Sequence, residues 1–293
     1  MPPGRATLSG AELIQWRRRL LAGGGNAADL DWLLDLSAGV DRQRLRALSL
    51  DPNQSLQLRR PLGELEDLWS RHVMFHEPLQ YLVGVCPWRD LELAVAPGVL
   101  IPRPETELLV ELAMACFQSA APALWTDLGT GSGCLAVALA RHWPEAEGIA
   151  VDLSSAALVQ AEANLKAHGL SHRVRLLEGD WWSPLTAQAG QIDLVVANPP
   201  YIPSSIWGAL EPLVREHEPA LALDGGADGL AAIRTIAAGA ARHLAPGGWL
   251  LLEHHHDQSP VVLALLRQAG LMPIGAHRDL EGKLRFAVAR APV

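Results

Sequence analysis

A run of six residues, Ile192-Asp193-Leu194-Val195-Val196-Ala197, is cut off by Asn198-Pro199-Pro200-Tyr201, and no other stretch so narrows what this chain can fold into. The run is short, β-branched and almost wholly apolar, as in a strand buried on both faces. Such strands belong to parallel sheets covered by helices. Two prolines cannot extend a central strand, because each lacks an N–H and fixes φ. The strand therefore ends at Ala197, and Asn198 stands at the carboxyl edge of the sheet, where open α/β sheets bind ligands.

The residue types at that edge suit a planar group bearing an NH2. The Asn198 side-chain oxygen can accept one N–H. Pro199 and Pro200 stiffen the turn and leave carbonyls to accept the second, and Tyr201 can stack on the plane, worth roughly 0.5–1.5 kcal/mol. Two acceptors facing one nitrogen reject a hydroxyl or a methyl, since a buried acceptor left unpaired costs about 1–3 kcal/mol. A plain strand end followed by a Pro-Pro turn accounts for the same four residues equally well. The rest of the chain decides between the two.

Three strand ends upstream point to a cofactor. Ala123–Leu128 reads as a strand running into Gly129-Thr130-Gly131-Ser132-Gly133-Cys134, and Leu135–Ala140 then has a helical pattern. Glycine admits positive φ and close approach of a ligand to the backbone. The spacing is not the G-x-G-x-x-G of dinucleotide sites, and Asp127 just ahead of it disfavours a pyrophosphate and suits a cationic or amino-bearing ligand. Ile149-Ala150-Val151-Asp152 ends a second strand with a carboxylate placed for ribose hydroxyls. Val174–Glu178 leads through Gly179 to Asp180 and Trp181, an acid and a ring able to frame a purine.

With 293 residues the chain is long enough for two domains. Residues 1 to about 83 read as short helices: Ser9 with Glu12 forms a capping-box signal, Gly23-Gly24-Gly25 a stop, and Asn26, Asp41 and Pro61 open further helices. Residues 85–96 partly alternate and suggest a hairpin. A helix near Pro104 and strand–helix alternation from residue 122 onward mark a parallel sheet. The net charge of −8 speaks against bare nucleic acid as the main partner, although residues 1–73, with ten Arg and nine acids, are nearly neutral. A charged leader with an apolar run is missing, as is any stretch of about 18 apolar residues, so a soluble, cytoplasmic protein with no membrane partner is expected. Cys86, Cys116 and Cys134 lie far apart and read as reduced packing residues. Consecutive His254, His255 and His256 cannot converge on one ion, so no metal is expected.

These segments, with His76–Gly84, Leu100–Glu107 and Glu218–Gly226, resemble the class I S-adenosylmethionine (SAM) methyltransferases, and within them the HemK/PrmC-type protein-(glutamine-N5) methyltransferases that modify peptide-chain release factors. The similarity covers roughly residues 70 to 260. It implies a Rossmann-like, mostly parallel seven-stranded sheet with a small N-terminal all-helical domain joined by a β-hairpin: 1–83 for substrate docking, 84–103 as hairpin linker and 104–293 for SAM-dependent transfer. It assigns Gly129, Thr130, Gly131, Ser132 and Gly133 to the methionine part of SAM, Asp152 to the ribose and Trp181 to the adenine region, with Asp127 and Asp180 also binding the cofactor. Asn198, Pro199, Pro200 and Tyr201 would hold the glutamine amide of a Gly-Gly-Gln motif, Asn198 also near SAM. The partner implied is a release factor, with the enzyme favoured as a monomer. His254–Gln258 and the tail Arg278–Arg285 depart from the family's pattern. Rival expectations are a ribosomal-protein glutamine methyltransferase, a DNA or RNA exocyclic-amine methyltransferase, and a non-catalytic SAM- or release-factor-binding protein. The helical domain is either a stabilising cap or a docking surface offering Arg17, Arg18, Arg19, Arg42, Arg44 and Arg46.

Overall fold

The computed structural model describes residues 7–272 and 274–293; the first six residues of the expected helical domain lie outside them. The chain forms two compact units, one reaching to Val85 and including Pro212–His217, the other comprising Cys86–Glu211 and Glu218–Val293.

In the first unit local capping chemistry sets the helix starts. Ser9 N–H donates to Glu12 Oε2 at 2.7 Å and Glu12 N–H to Ser9 Oγ at 3.3 Å, closing a capping box ahead of helix Gly10–Ala22. Asn26 and Asp41 accept from the backbone N–H groups of Asp29 and Arg44, and open Ala27–Leu33 and Arg42–Leu50. Helix Leu62–Phe75 follows Pro61. Their apolar faces meet in a core of Leu13, Trp16, Leu30, Leu33, Leu65 and Trp69 among others. Of the Arg17–Arg19 triplet, Arg17 forms a two-pronged pair with Asp31 (2.6 and 3.0 Å) and Arg19 pairs with Glu66; Arg18 stays exposed.

The second unit holds a seven-stranded sheet: β1 (Leu124–Leu128), β2 (Glu147–Asp152), β3 (Val174–Glu178), β4 (Ile192–Ala197), β5 (Leu244–Glu253), β6 (Ile274–Arg278) and β7 (Leu284–Arg290), in spatial order 3-2-1-4-5-7-6. Neighbours from β3 to β5 run parallel, and β7 runs antiparallel to both β5 and β6. This is the mostly parallel α/β sheet that the strand–helix alternation predicts. Successive residues of β4 supply opposite faces. Leu194 and Val196 join Trp125 and the helices Glu107–Cys116 and Cys134–His142, whereas Val195 and Ala197 join Ile149 and the helices Ala231–His243 and Ser259–Gln268. Gly148, inside β2, leaves room for Trp125: a Cβ there would lie 2.2 Å from the indole.

A hairpin of Val85–Trp88 and Leu91–Ala94 belongs, from Cys86 onward, to this same unit. The buried Asn164, on helix Ser155–Ala167, ties it to the glycine turn. Its Oδ1 accepts from Ala94 N–H (2.8 Å), and its Nδ2 donates to the carbonyls of Ala94 (2.9 Å) and Ser132 (2.8 Å). Among the described residues no helix is long and apolar enough to cross a membrane.

Candidate active site

β1, β2 and β4 end at one edge of the sheet, and residues at or just beyond those ends line a cavity of about 350 Å³. The glycine turn follows β1. Gly129, Gly131 and Gly133 all have positive φ, from 55° to 80°, so the turn folds tightly enough for N–H groups of Gly129 and Thr130 to reach the Val151 carbonyl on β2. At the end of β2, Asp152 accepts from Gly131 N–H (2.8 Å) and Ser154 N–H (2.9 Å), which holds the carboxylate at the rim. Burial nonetheless raises its pKa, against those two hydrogen bonds. Beyond β3, Trp181 sits at φ +47°, unusual for a bulky residue, with its ring over Gly129.

The cavity gathers Gly129, Thr130, Gly131, Ser132, Asp152, Asp180, Trp181, Asn198 and Pro200. Four other residues singled out by the sequence lie outside its lining. Gly133 starts the helix behind the turn, packed against Ala161. Asp127 is fully buried below the turn, where its Oδ2 accepts from the Thr130 hydroxyl (2.6 Å) and its Oδ1 has no partner. Burial pushes the Asp127 carboxyl up to about 7. Pro199 is buried, and Tyr201 turns its hydroxyl inward to Glu253 Oε1 (3.1 Å) instead of presenting its ring to the cavity. The Tyr201 carbonyl is taken as well: Gln258 Nε2 donates to it at 2.9 Å, while Gln258 Oε1 accepts from His255 N–H.

The site also contains residues beyond those that the resemblance assigned to cofactor or substrate. Thr106 and Arg103 line the cavity from the Leu100–Glu107 segment, and Arg103 donates to the buried Glu218 carboxylate at 2.6 Å. Glu253, at the end of β5, is buried and accepts from Thr106 (2.7 Å) as well as from Tyr201. Burial pushes its pKa up to about 7 despite those two hydrogen bonds. The sequence signal for Glu253 was an acid closing the apolar run Leu250-Leu251-Leu252. Among the described residues no group of three or more His, Cys, Asp or Glu is arranged to hold a metal ion.

A cavity of this size falls in the range of small-molecule sites. Acids at three strand ends, an indole and closely approachable glycine backbone suit a ligand that joins a positive charge to a nucleoside. The unpartnered oxygen of Asp127 agrees with this, because a cation above the turn favours the ionised form of a carboxyl that burial otherwise holds toward neutrality.

Residues 105–225 match the family described as the methyltransferase small domain. A release factor glutamine methyltransferase of Prochlorococcus marinus is 46% identical over 97% of this chain and 98% of its own length. That of Gloeobacter violaceus is 49% identical over 94% and 96%. Among solved structures, a methyltransferase from Pyrococcus furiosus superposes with a TM-score of 0.52 at 16% identity, covering 70% of this chain and 91% of that one, a likeness of fold alone.

Proposed function

Because the chain belongs to the release factor glutamine methyltransferase family, we propose that it transfers a methyl group from S-adenosylmethionine to the side-chain amide nitrogen of the glutamine in the Gly-Gly-Gln motif of peptide-chain release factors, in the cytoplasm. The observation that carries this reading is the meeting of Asn198 and Pro200 with Gly129–Ser132, Asp152 and Trp181 in one cavity.

When bound, S-adenosylmethionine supplies an electrophilic methyl group on a positively charged sulfur. Gly129–Ser132 take its amino-acid end, with Asp127 buried behind them as a counter-charge, Asp152 accepts from the ribose hydroxyls, and Trp181 with Asp180 borders the base. Asn198 Oδ1 accepts one N–H of the substrate amide, and a backbone carbonyl of the Pro-Pro turn accepts the other. An amide nitrogen is a poor nucleophile, since its lone pair is shared with the carbonyl. The pocket compensates by holding it in place, which can supply about 7–11 kcal/mol of the barrier. Acceptors aimed at its N–H groups also stabilise the positive charge that develops there.

The test is methyl transfer from radiolabelled SAM to a release factor carrying Gly-Gly-Gln, beside the same factor carrying Gly-Gly-Ala. Label on the first and not the second is the expected result; label on neither, with SAM still bound, overturns it. Asn198→Ala abolishes transfer and leaves SAM affinity within severalfold.

A further inference from the structure

We propose that Glu253, acting through Thr106, fixes which end of the Asn198 amide faces the substrate. The inference rests on the role just given to Asn198. The oxygen and NH2 of an asparagine are nearly the same size, so the shape of a pocket does not choose between them; hydrogen-bond partners do. Here the partners form a chain with one direction. In its ionised form Glu253 has no proton to give, so the hydroxyls of Thr106 (2.7 Å) and Tyr201 (3.1 Å) both donate to it. That uses the single hydrogen of Thr106, whose oxygen can then only accept. Asn198 therefore turns its NH2 to Thr106, at 2.9 Å, and leaves Oδ1 as the end available to the cavity. The reversed amide would set an NH2 against the NH2 of the substrate, and neither group could accept.

Two features favour this chain. Thr106 precedes helix Glu107–Cys116 in helical φ/ψ (−61°, −20°), and the N–H groups of Glu107, Leu108 and Leu109 already bond to the carbonyls of Pro104, Glu105 and Thr106. Its hydroxyl therefore has no capping work to do and is free to reach Glu253. The carboxyl is itself buried at the end of β5, with Arg285 the cation acting on it from β7. Burial alone would favour an apolar residue there. A proton on Oε1, facing Tyr201, leaves Oε2 free to accept from Thr106, so the direction survives partial protonation of the acid.

Glu253 and Thr106 are positioning residues, and the test separates direction from mere packing. Thr106→Val keeps the shape and removes the hydroxyl; it lowers kcat for release-factor methylation by about tenfold to a hundredfold, with SAM affinity within twofold. Thr106→Ser restores most of the rate. Glu253→Gln keeps an acceptor toward Thr106 by turning its NH2 to Tyr201, and retains more activity than Glu253→Leu. A readout independent of turnover is hydrogen exchange of the Asn198 side-chain NH2 followed by 15N NMR: slow in wild type and Thr106→Ser, at least tenfold faster in Thr106→Val. Wild-type rate and slow exchange in Thr106→Val would overturn the inference, as would a Thr106→Ser protein as slow in catalysis as Thr106→Val. Slow exchange in a wild type that methylates no Gly-Gly-Gln substrate would leave the relay standing and sink the proposed reaction instead.

Discussion

Asp127→Asn exposes a conflict between stability and ligand binding at the cofactor end of the site. Burial is the main cause that moves the Asp127 carboxyl from 3.8 up to about 7; the Thr130 hydrogen bond opposes it and the charge of Asp152 adds to it. The folded value lies above the unfolded one, so the folded state holds this proton more tightly. The group therefore costs no stability below pH 3.8, its penalty grows as pH rises toward 7, and it is constant above that. At about 1.36 kcal/mol per pH unit, the penalty at pH 8 is on the order of 4 kcal/mol. Asparagine does not ionise and keeps an acceptor for Thr130, but it puts an unpaired NH2 where Oδ1 was, which returns about 1–3 kcal/mol of cost. The balance favours the variant by about 1–3 kcal/mol at pH 8 and vanishes or reverses near pH 4.5. Denaturant midpoints measured from pH 4.5 to 8.5 without ligand would show the two curves converging on the acid side. Calorimetry at pH 8 would show weaker SAM binding by the variant, since the cation loses its buried counter-charge. Parallel stability curves across that range would refute the reasoning, because they would mean that Asp127 does not titrate between the folded and unfolded values.

Three further outcomes follow from the geometry. Asp152→Ala lowers SAM affinity by about a hundredfold, because it removes the ribose acceptor and releases the N–H groups of Gly131 and Ser154; titration calorimetry checks it, and an unchanged Kd would move the ribose elsewhere. Trp181→Gly relieves a φ of +47° but gives up the ring's packing on the core, and removing the ring beside Gly129 weakens SAM binding by roughly tenfold, as titration calorimetry would show. Gly239→Ala puts a Cβ 2.2 Å from Cδ1 of Trp182, which is stacked on His243 and donates to Ile236, and so costs about 1–3 kcal/mol by urea denaturation.

What the sequence revealed depended on the range of the interaction. The caps at Ser9, Asn26 and Asp41 act over three residues and could be read directly, as could the strand ends carrying the glycine turn, Asp152 and Asn198. The short antiparallel pair Thr7–Ser9 with Ser55–Gln57 went unseen, because neither segment is long enough to show a period. The direction of Tyr201 was also hidden: a tyrosine beside a site can stack on a ligand or reach a buried acid, and here Glu253 from another strand takes its hydroxyl. The Thr106–Glu253 contact joins residues 147 apart, and nothing local to either says that they meet. The Arg17–Arg19 triplet suggested a free basic face, yet Asp31 and Glu66, on other helices, take up two of its three charges.

Asn164 bears on where this protein can be divided. A fragment starting at residue 104 would retain every strand of the large sheet and every residue assigned to the cofactor. It would also lose Ala94, and with it two of the three partners of a fully buried amide whose third partner is the carbonyl of Ser132 in the glycine turn. The hairpin is thus a wall of the catalytic module, and a transplant or truncation that treats it as a dispensable tether would loosen the turn it props from behind.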